Sequence, residues 1–424
     1  MATGYHSRVV DAELDALAEL PAIALEGAKG VGKTRTAARR ARTVFTLDNP
    51  LELELAAADP SRLTRGNPPI LIDEWQRMPS SWDLVRRAVD GAPATSRFLL
   101  TGSATPRALT HSGAGRIVRL RMRPLSLVER RSSGEPTVSL ASLLTGETPA
   151  VDGSTTFTLP DYVREICQSG FPALRNLSDR AVRAELDGYI ENIVEREFPE
   201  LQYVVRRPAT LLRWLRAYAA ATSTVASYEA LRDAATPGER EKPSKATTQA
   251  YRDVLERLWI LDPIPAWLPT HNHLRRLGAA PKHNLADPAL AARLLGADVG
   301  ALIGTGNVAP LAGHNSALVG QLFESLVTLG VRVLAQSVEA RVGHFRTHEG
   351  KHEVDLIVER ADHRVVALEV KLKATVDDLD VRHLLWLKAR IGSDLLDMVI
   401  LTTGLHAYRR QDGVAVVPAI LLGP

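Results

Sequence analysis

A short glycine-rich segment near the beginning of the chain limits its fold more than any other feature. Residues 27–34 read Gly-Ala-Lys-Gly-Val-Gly-Lys-Thr and satisfy the pattern G-x-x-x-x-G-K-[ST] in full. They follow an apolar run at residues 22–26 and precede a stretch with helical periodicity, which is where this pattern forms a loop between a strand and a helix. A chance glycine-rich turn is the alternative, and it does not explain this placement. The segment therefore predicts an α/β fold with a phosphate-binding loop.

The residues of this loop have separate expected roles. Gly27, Gly30 and Gly32 would let backbone N–H groups turn towards phosphate oxygens, and the dipole of the following helix would add positive potential. Lys33 would bind the β- and γ-phosphates, and the Thr34 hydroxyl would bind Mg²⁺. The predicted cofactors are therefore ATP and Mg²⁺.

A second apolar run, residues 69–72, is followed by two acids, Asp73 and Glu74. In a site of this kind, one acid at a strand end holds Mg²⁺ through water, and another activates the attacking water. An apolar run ending in Asp-Glu can also be a strand followed by a solvated turn. Because the run accompanies the glycine-rich loop, we assign Asp73 to Mg²⁺ and Glu74 to catalysis.

Two further positions are candidates for accessory roles. The run at residues 97–103 ends in Thr-Gly-Ser, so Ser103, or Thr101 in its place, would orient water between the γ-phosphate and the catalytic acid. A strand-end cap is an equal alternative. Arg116 would offer a guanidinium to the γ-phosphate of its own subunit or of a neighbouring copy, and an ordinary surface arginine is the alternative.

The composition is that of a globular protein. Of 424 residues, 45% are hydrophobic and 24% are charged, and no unbroken apolar run reaches the ~18 residues of a membrane span. Cys167 is the only cysteine, which excludes an intramolecular disulfide and favours a reducing, cytoplasmic location. The net charge of +3 permits contact with nucleic acid without indicating it.

Periodicity divides the chain into three parts. In residues 1–125, short β-branched runs alternate with helical stretches, which predicts an ATPase domain built on a parallel sheet. Residues 126–273 are mostly helical, and residues 274–424 end in strand-like runs that predict an α/β domain. Residues 130–156, rich in Ser, Gly, Pro and Thr, are predicted to form a linker or a mobile excursion.

The pattern in the middle part indicates a compact helical unit with a terminal hairpin or wing. Its helix at residues 245–258 begins with a basic turn and could act as a recognition helix in a groove of nucleic acid. The alternative is a lid that packs against the ATPase domain with its charges solvated. We favour the lid, because basic residues do not dominate the helix.

The C-terminal part carries a pattern of carboxylates and lysine. Glu353 and Asp355 share one face of a predicted strand, and Glu369 and Lys371 share a face of the next. If the strands pair as a hairpin, Asp355 and Glu369 would meet around one metal ion, with Lys371 stabilising charge or activating water and Glu324 approaching from a helix. Amphipathic strands also commonly carry Glu and Lys on a solvated face, which is the alternative.

Three histidines, His344, His348 and His352, fall at the four-residue spacing of helical metal ligands. Gly343 before them, Gly350 between the last two, and the alternation beyond Glu353 indicate strand and turn in this region. We therefore discount a zinc site.

Together these motifs resemble a prokaryotic AAA-type ATPase family whose ATPase is fused to a C-terminal domain of unknown function with a restriction-endonuclease-like core. The resemblance covers nearly the whole chain. It rests on Gly27–Thr34, Asp73-Glu74-Trp75-Gln76, Leu100-Thr101-Gly102-Ser103, Gly115-Arg116, Arg123-Pro124-Leu125-Ser126, Ser169-Gly170-Phe171-Pro172-Ala173, Tyr189-Ile190-Glu191, Asp287-Pro288-Ala289-Leu290, Gly320-Gln321-Leu322-Phe323-Glu324, Glu353-Val354-Asp355 and Glu369-Val370-Lys371.

The resemblance implies a P-loop core, a winged-helix-like middle and a nuclease-like C-terminal domain. It places nucleotide roles on Lys33, Thr34, Asp73 and Glu74. It places metal-site roles on four C-terminal residues, which are Glu324, Asp355, Glu369 and Lys371. One departure lies inside the loop, where residues 28–30 are Ala-Lys-Gly and the family often has Pro-Arg-Gln.

Two functions follow as hypotheses. The leading one is an ATP-powered machine acting on nucleic acid, with a metal-dependent nuclease-like domain and, if Arg116 acts in trans, a homo-oligomeric assembly. The alternative is a nucleotide-dependent switch or adaptor that acts on a protein partner, with a catalytically silent C-terminal fold. An ATP-gated defence nuclease is a variant of the first. No membrane role is expected.

Overall fold

A computed structural model describes residues 4–91, 98–104, 114–130, 134–236, 242–269, 279–304 and 314–424. The chain is a mixed α/β protein, and its three parts share one continuous hydrophobic core. That core includes Leu25 in the first strand, Tyr162 and Leu211 in the middle part, and Leu322 and Val358 in the C-terminal part. Because the parts share this core, each of them buries apolar surface against the other two.

The N-terminal part is built on a parallel sheet, as predicted. Its strand order is β2-β3-β4-β1-β5, and β1, β3 and β4 are buried along their whole length. Such runs of buried β-branched and leucine residues are typical of parallel strands covered on both faces. The strands are β1 Ala22–Glu26, β2 Thr43–Thr46, β3 Ile70–Asp73, β4 Phe98–Gly102 and β5 Val118–Arg121, and the helices are α1 Val9–Ala16, α2 Lys33–Ala38, α3 Pro50–Ala58 and α4 Ser80–Gly91.

Residues 130–156 differ from the predicted linker or mobile excursion. After a short helix, α5 Leu127–Arg130, the chain forms β6 Val138–Ser139 and α6 Leu140–Leu143, and β6 pairs with the last strand of the chain. Leu140 and Leu143 are fully buried. The apolar positions of this stretch, spaced among Ser, Gly and Pro, anchor it to the C-terminal part.

The middle part is helical, as predicted. Residue 193 begins a π-helical turn, Ile193–Glu197, that continues α8 and brings Glu197 towards the glycine-rich loop. The helices are α7 Leu159–Cys167, α8 Asp179–Asn192, α9 Phe198–Glu200, α10 Pro208–Ala220, α11 Tyr228–Ala234 and α12 Lys245–Arg257.

The stretch after α12 forms a hairpin-like pair of segments. Antiparallel bridges join Leu261 to Leu285 and Ile264 to Lys282, and a parallel bridge joins Ala266 to His344 in the C-terminal sheet. The pair thus connects the middle part to the C-terminal sheet. A winged-helix identity for this unit remains a prediction.

The C-terminal part holds a mixed sheet of order β11-β12-β10-β9-β8-β7. Strands β7, β8 and β9 are antiparallel neighbours, whereas β9, β10 and β12 run parallel. The strands are β7 Arg341–Arg346, β8 Glu353–Glu359, β9 Val365–Lys371, β10 Leu395–Thr402, β11 Tyr408–Arg409, β12 Ala415–Pro418 and β13 Leu422–Gly423, and the helices are α13 Pro288–Leu294, α14 Val299–Ile303, α15 His314–Ser337 and α16 Asp378–Ile391.

Helix α15 is the long apolar element of this part. Its segment Ser316–Ser337 has the length and hydropathy of a membrane span, and 56% of the apolar window is buried inside the protein. Leu322, Phe323 and Leu326 on this helix are fully buried. The helix contacts α1, α7 and α13, so its apolar character is explained by packing inside the protein core.

Candidate functional site

The glycine-rich loop follows the carboxyl end of β1 and leads directly into α2. A side chain on Gly27 would clash with the carbonyl oxygen of Met122, because a Cβ there would lie 2.1 Å from it. Glycine at this position therefore lets the loop lie against the chain that leaves β5. Gly32 has a left-handed backbone, with a φ of 99°, and caps the start of α2.

Lys33 lies inside the loop. Its ammonium donates to the carbonyl oxygens of Gly27 and Ala28, each at 2.9 Å, and the residue is buried. Burial lowers the pKa of Lys33 to about 8, and the nearby carboxylates of Glu74 and Asp73 oppose this shift. Phosphate oxygens would offer the buried ammonium stronger acceptors than these carbonyls.

A hydroxyl–carboxylate cluster lies at the ends of β3 and β4. The Thr34 hydroxyl donates to Asp73 Oδ1 at 2.8 Å, and the Thr101 hydroxyl contacts the same oxygen. Hydroxyl and carboxylate oxygens are the hard ligands that Mg²⁺ prefers. The donor set of Thr34 and Asp73 therefore fits Mg²⁺, and the structure brings together the two residues that the sequence assigned to it.

Glu74 lies beside this cluster and has its own polar neighbours. Gln76 donates to Glu74 Oε2, and the Ser103 hydroxyl donates to the same oxygen at 3.3 Å. Gln76 also donates to Ser103 at 3.2 Å. Because β4 lies between β1 and β3 in the sheet, Ser103 follows the strand that separates the loop from Glu74. Ser103 therefore lies beside Glu74, whereas Thr101 contacts Asp73.

Glu74 and Ser103 line a cavity of about 430 Å³ next to the loop. Glu197 and Glu200 from the middle part face it from the other side. Glu197 accepts from the Lys29 ammonium at 2.9 Å, and the Tyr189 hydroxyl donates to the Lys29 carbonyl at 3.1 Å. The middle part therefore contacts the backbone and the side chain of the phosphate loop directly.

The middle part approaches the loop a second time through Phe171 and Pro172. A Cβ on Gly30 would lie 3.8 Å from Phe171, and one on Gly32 would lie 3.6 Å from Pro172. Sequence patterns gave no role to Gln76, Glu197, Phe171 or Pro172, although Gln76 and Phe171-Pro172 lie in segments that carry the family resemblance. The polar residue two positions after Glu74 is the one local signal that could have singled out Gln76.

Arg116 lies far from the phosphate loop of its own chain. It precedes β5, which runs parallel to β1 with Val118 opposite Ile23, so Arg116 is at the amino edge of the sheet and the loop at the carboxyl edge. At ~3.3 Å per residue, this separation is roughly 15 Å or more. Arg116 is exposed and pairs with Asp90 at 2.7 Å. This position favours a role in trans over one in cis, and both roles stay predictions.

In the C-terminal part, β8 and β9 form the predicted antiparallel hairpin. Leu356 lies opposite Leu368, which places Asp355 beside Glu369. Asp355 Oδ2 accepts from the backbone N–H of Val370 at 2.9 Å, and the Lys371 ammonium donates to Glu369 at 2.7 Å. Asp355, Glu369 and Lys371 therefore lie close together in the structure.

A residue that no pattern indicated occupies the centre of this cluster. The Lys282 ammonium lies 2.8 Å from Glu324 Oε1, 3.0 Å from Asp355 Oδ1 and 3.4 Å from Glu353 Oε1. Its side chain is 1% exposed. Burial would lower the pKa of Lys282, but the carboxylates of Asp355 and Glu324 outweigh it and raise that pKa above the ordinary lysine value. Lys282 is therefore a buried, charged partner of Glu324 and Asp355.

The pKa values of Glu324, Glu369 and Asp355 are shifted by burial and by neighbouring charges. Burial raises the pKa of Glu324 to about 8, and burial together with the Asp355 charge raises the pKa of Glu369 to about 8. The pKa of Asp355 is lowered, because Lys282 and Lys371 outweigh the effect of its burial. Among Glu324, Asp355 and Glu369, Asp355 is the residue whose surroundings favour the ionised form.

The predicted metal role of Glu324, Asp355 and Glu369 does not fit this arrangement. An ammonium group directly on the oxygens of Glu324 and Asp355 would repel a divalent cation placed between them. Across the described ranges, no group of three or more His, Cys, Asp and Glu side chains is arranged to hold a metal ion. His344 lies on β7 and its Nε2 is 3.0 Å from the carbonyl oxygen of Ala280.

Three family profiles match successive parts of the chain. Residues 19–130 match an AAA domain, residues 159–300 match a domain of unknown function (DUF8612), and residues 319–422 match a domain of unknown function (DUF4143). The N-terminal region is an AAA domain. Its P-loop ATPase-like fold indicates ATPase activity, in agreement with the parallel sheet and the loop at its carboxyl edge. The restriction-endonuclease-like core of the C-terminal part remains a prediction.

Two mycobacterial relatives are similar over nearly the whole chain. Uncharacterized protein Rv2008c of Mycobacterium tuberculosis and Uncharacterized protein Mb2031c of Mycobacterium bovis are each 26% identical to it over 410 residues. The similarity covers 95% of this chain and 81% of each relative. It therefore extends through the AAA domain and both following parts.

Proposed function

We propose that the protein binds ATP with Mg²⁺ and hydrolyses it in the AAA domain. The contact between Thr34 and Asp73, with Glu74 beside it, is the observation that carries this proposal. It joins a hydroxyl and a carboxylate for Mg²⁺ to an acid for water at one edge of the sheet. Mg²⁺, when bound, would neutralise charge on the β- and γ-phosphates.

The residues around the loop have distinct tasks in this proposal. Lys33 exchanges its bonds to loop carbonyls for bonds to phosphate oxygens. Glu74 takes a proton from the attacking water, and Gln76 and Ser103 hold the Glu74 carboxylate in place through their hydrogen bonds. Gln76 and Ser103 are therefore positioning residues for the catalytic acid.

Steady-state ATP hydrolysis by the purified full chain tests this function. Lys33→Ala should abolish both nucleotide binding and turnover, because it removes the buried phosphate-binding charge. Lys351→Ala is a matched control, since Lys351 is an exposed lysine of the C-terminal part whose side chain is 74% exposed. Turnover by Lys33→Ala at the wild-type rate would refute the assignment, whereas Lys351→Ala should be unaffected.

For the wider role, we propose the nucleotide-dependent switch or adaptor, with a C-terminal fold that performs no metal chemistry. Two observations support it over a nuclease machine. Glu197, Tyr189 and Phe171 of the middle part contact the phosphate loop, so occupancy of the loop is sensed there. The Lys282 ammonium lies on the oxygens of Glu324 and Asp355, two residues that the nuclease hypothesis assigns to a metal ion. The proximity of Asp355 and Glu369 supports a nuclease-like fold, but it does not support cleavage activity.

Incubation of the full chain with plasmid and oligonucleotides, in Mg²⁺ or Mn²⁺ and with or without ATP, separates the two roles. The switch predicts no cleavage, together with nucleotide-dependent protection of the middle part from proteolysis. Cleavage that is lost in Asp355→Ala would establish the nuclease instead. Salt-dependent DNA binding would favour the nucleic-acid machine.

A further inference from the structure

The carboxylate cluster of the C-terminal part contains the ammonium group of Lys282, a residue that lies outside the C-terminal sheet. Lys282 belongs to the hairpin-like pair of segments, whereas Glu324 lies on α15 and Asp355 on β8. The three carboxylate oxygens around its ammonium, on Glu324, Asp355 and Glu353, lie at 2.8, 3.0 and 3.4 Å. The ammonium donates hydrogen bonds to Glu324 and Asp355 and forms an ion pair with Glu353.

The backbone holds Lys282 in this position. Its N–H donates to Ile264 at 2.9 Å, and its carbonyl accepts from Ile264 at 2.8 Å. The next residue, His283, donates its N–H to Thr224 at 2.8 Å. These backbone bonds fix the point at which the Lys282 side chain leaves the main chain, and that side chain is 1% exposed.

Other oxygens of the cluster also have hydrogen-bond donors. Asp355 accepts from Lys282 through Oδ1 and from Val370 N–H through Oδ2. Glu369 accepts from Lys371 through Oε1. A divalent cation bound between Glu324 and Asp355 would therefore compete with an ammonium group that already holds one oxygen of each.

We infer that Lys282 is the resident cation of the cluster formed by Glu324, Glu353, Asp355 and Glu369, and that it replaces a divalent metal ion there. The ammonium supplies the positive charge that keeps the carboxylates together. It also links the middle part to the C-terminal sheet through ion pairs. This inference goes beyond the proposed ATPase function, because it concerns a separate site and does not depend on nucleotide.

Removal of the ammonium should therefore create a metal site. Lys282→Met keeps the length of the side chain and removes its charge, which leaves Glu324 and Asp355 facing each other without a cation. In this variant, Mn²⁺ should bind with an affinity roughly tenfold or more above that of the wild type at the same cluster. Added Asp355→Asn should abolish the gain.

Calorimetric titration of the nucleotide-free full chain with Mn²⁺ tests the inference. The wild type and Asp355→Asn should behave alike, so that any background binding at the AAA domain cancels. Lys373→Met is the matched control, because Lys373 also bridges two carboxylates, Asp377 and Asp380, away from the cluster. It should gain no site that depends on Asp355.

Three outcomes decide the inference. Mn²⁺ binding by the wild type that disappears in Asp355→Asn would overturn it, and so would a folded Lys282→Met variant that gains no site. If Lys282→Met is less stable than the wild type, Mn²⁺ should raise its melting temperature and leave that of the wild type unchanged. If the variant does not fold at all, the comparison of wild type with Asp355→Asn decides the question alone.

Discussion

Replacement of Asp262 by asparagine should destabilise the whole chain strongly. The Asp262 carboxylate is buried, accepts from Arg121 and Arg123 at 2.8 Å each, and forms an ion pair with Arg332 at 2.6 Å. Arg121 and Arg123 belong to the end of the AAA domain, and Arg332 lies on α15. Asparagine keeps the shape of the side chain and removes its charge, so three guanidinium groups would lose their shared counter-ion.

The expected loss follows from the burial of these ion pairs. Breaking one buried pair from one side costs about 3–5 kcal/mol, because the other charge is left uncompensated. Arg123 is itself buried, and burial lowers the pKa of Arg121 to about 9 and of Arg332 to about 10 against the pull of Asp262. We therefore expect a loss of about 3–5 kcal/mol, a large part of the ~5–15 kcal/mol that stabilises a typical domain.

Urea denaturation followed by circular dichroism would measure this loss. Asp362→Asn is the matched control, because Asp362 also contacts two arginines, Arg360 and Arg364, but its side chain is 40% exposed. That control should change the midpoint little, as exposed ion pairs usually do. Equal midpoints for Asp262→Asn and Asp362→Asn would refute the role given to the buried cluster.

The pH dependence of the difference has a defined sign. The three arginines outweigh burial and hold the pKa of Asp262 below its ordinary value of 3.8. The stabilisation by Asp262 is therefore present above about pH 4 and is lost as the pH falls below that value. The difference between wild type and Asp262→Asn should be constant from pH 5 to 8 and shrink in acid.

Three other predictions concern the single side chains of Lys33, Asp287 and Arg116. Burial lowers the pKa of Lys33 to about 8, below its ordinary 10.5. The free energy of unfolding of the nucleotide-free wild type should therefore rise by up to about 3 kcal/mol relative to that of Lys33→Met as the pH rises from 8 to 10.5. Denaturation at both pH values would show no such gain if Lys33 were solvated. Asp287→Ala removes acceptors for Ser169, Gly170 and Ala289 and should cost about 3 kcal/mol in urea denaturation; a loss below about 1 kcal/mol would contradict it. If Arg116 acts in trans, the ATPase rate per subunit should rise with protein concentration and Arg116→Ala should remove the rise; a constant rate across assembly would exclude this role.

The AAA domain could be predicted from the sequence because its signals are local. Strand β1 is a continuous apolar run directly before the glycine-rich loop, and β3 is another that ends in Asp73. Predicted and observed bounds coincide for both strands. Their burial on both faces produces an unbroken apolar pattern that no solvated strand would show.

The features that escaped prediction depend on contacts between distant parts of the chain. Lys282 is 42 residues from Glu324 and 73 from Asp355, so no spacing could join them. The distance of Arg116 from the loop follows from strand direction, which the motif around it does not encode. Residues 138–139 pair with residues 422–423 at the end of the chain, a contact that the Ser-rich composition around them did not indicate.

The fate of bound ATP in Glu74→Gln tests the central claim most directly. The full chain is mixed with radiolabelled ATP and Mg²⁺, quenched at intervals, and its bound nucleotide is separated into ATP and ADP. Since Glu74 is assigned to the attacking water and Lys33 to phosphate binding, the variant should retain ATP and hydrolyse it about 10²–10⁴-fold more slowly than the wild type. Conversion of bound ATP to ADP at the wild-type rate would contradict the assignment of Glu74 as the residue that activates the attacking water.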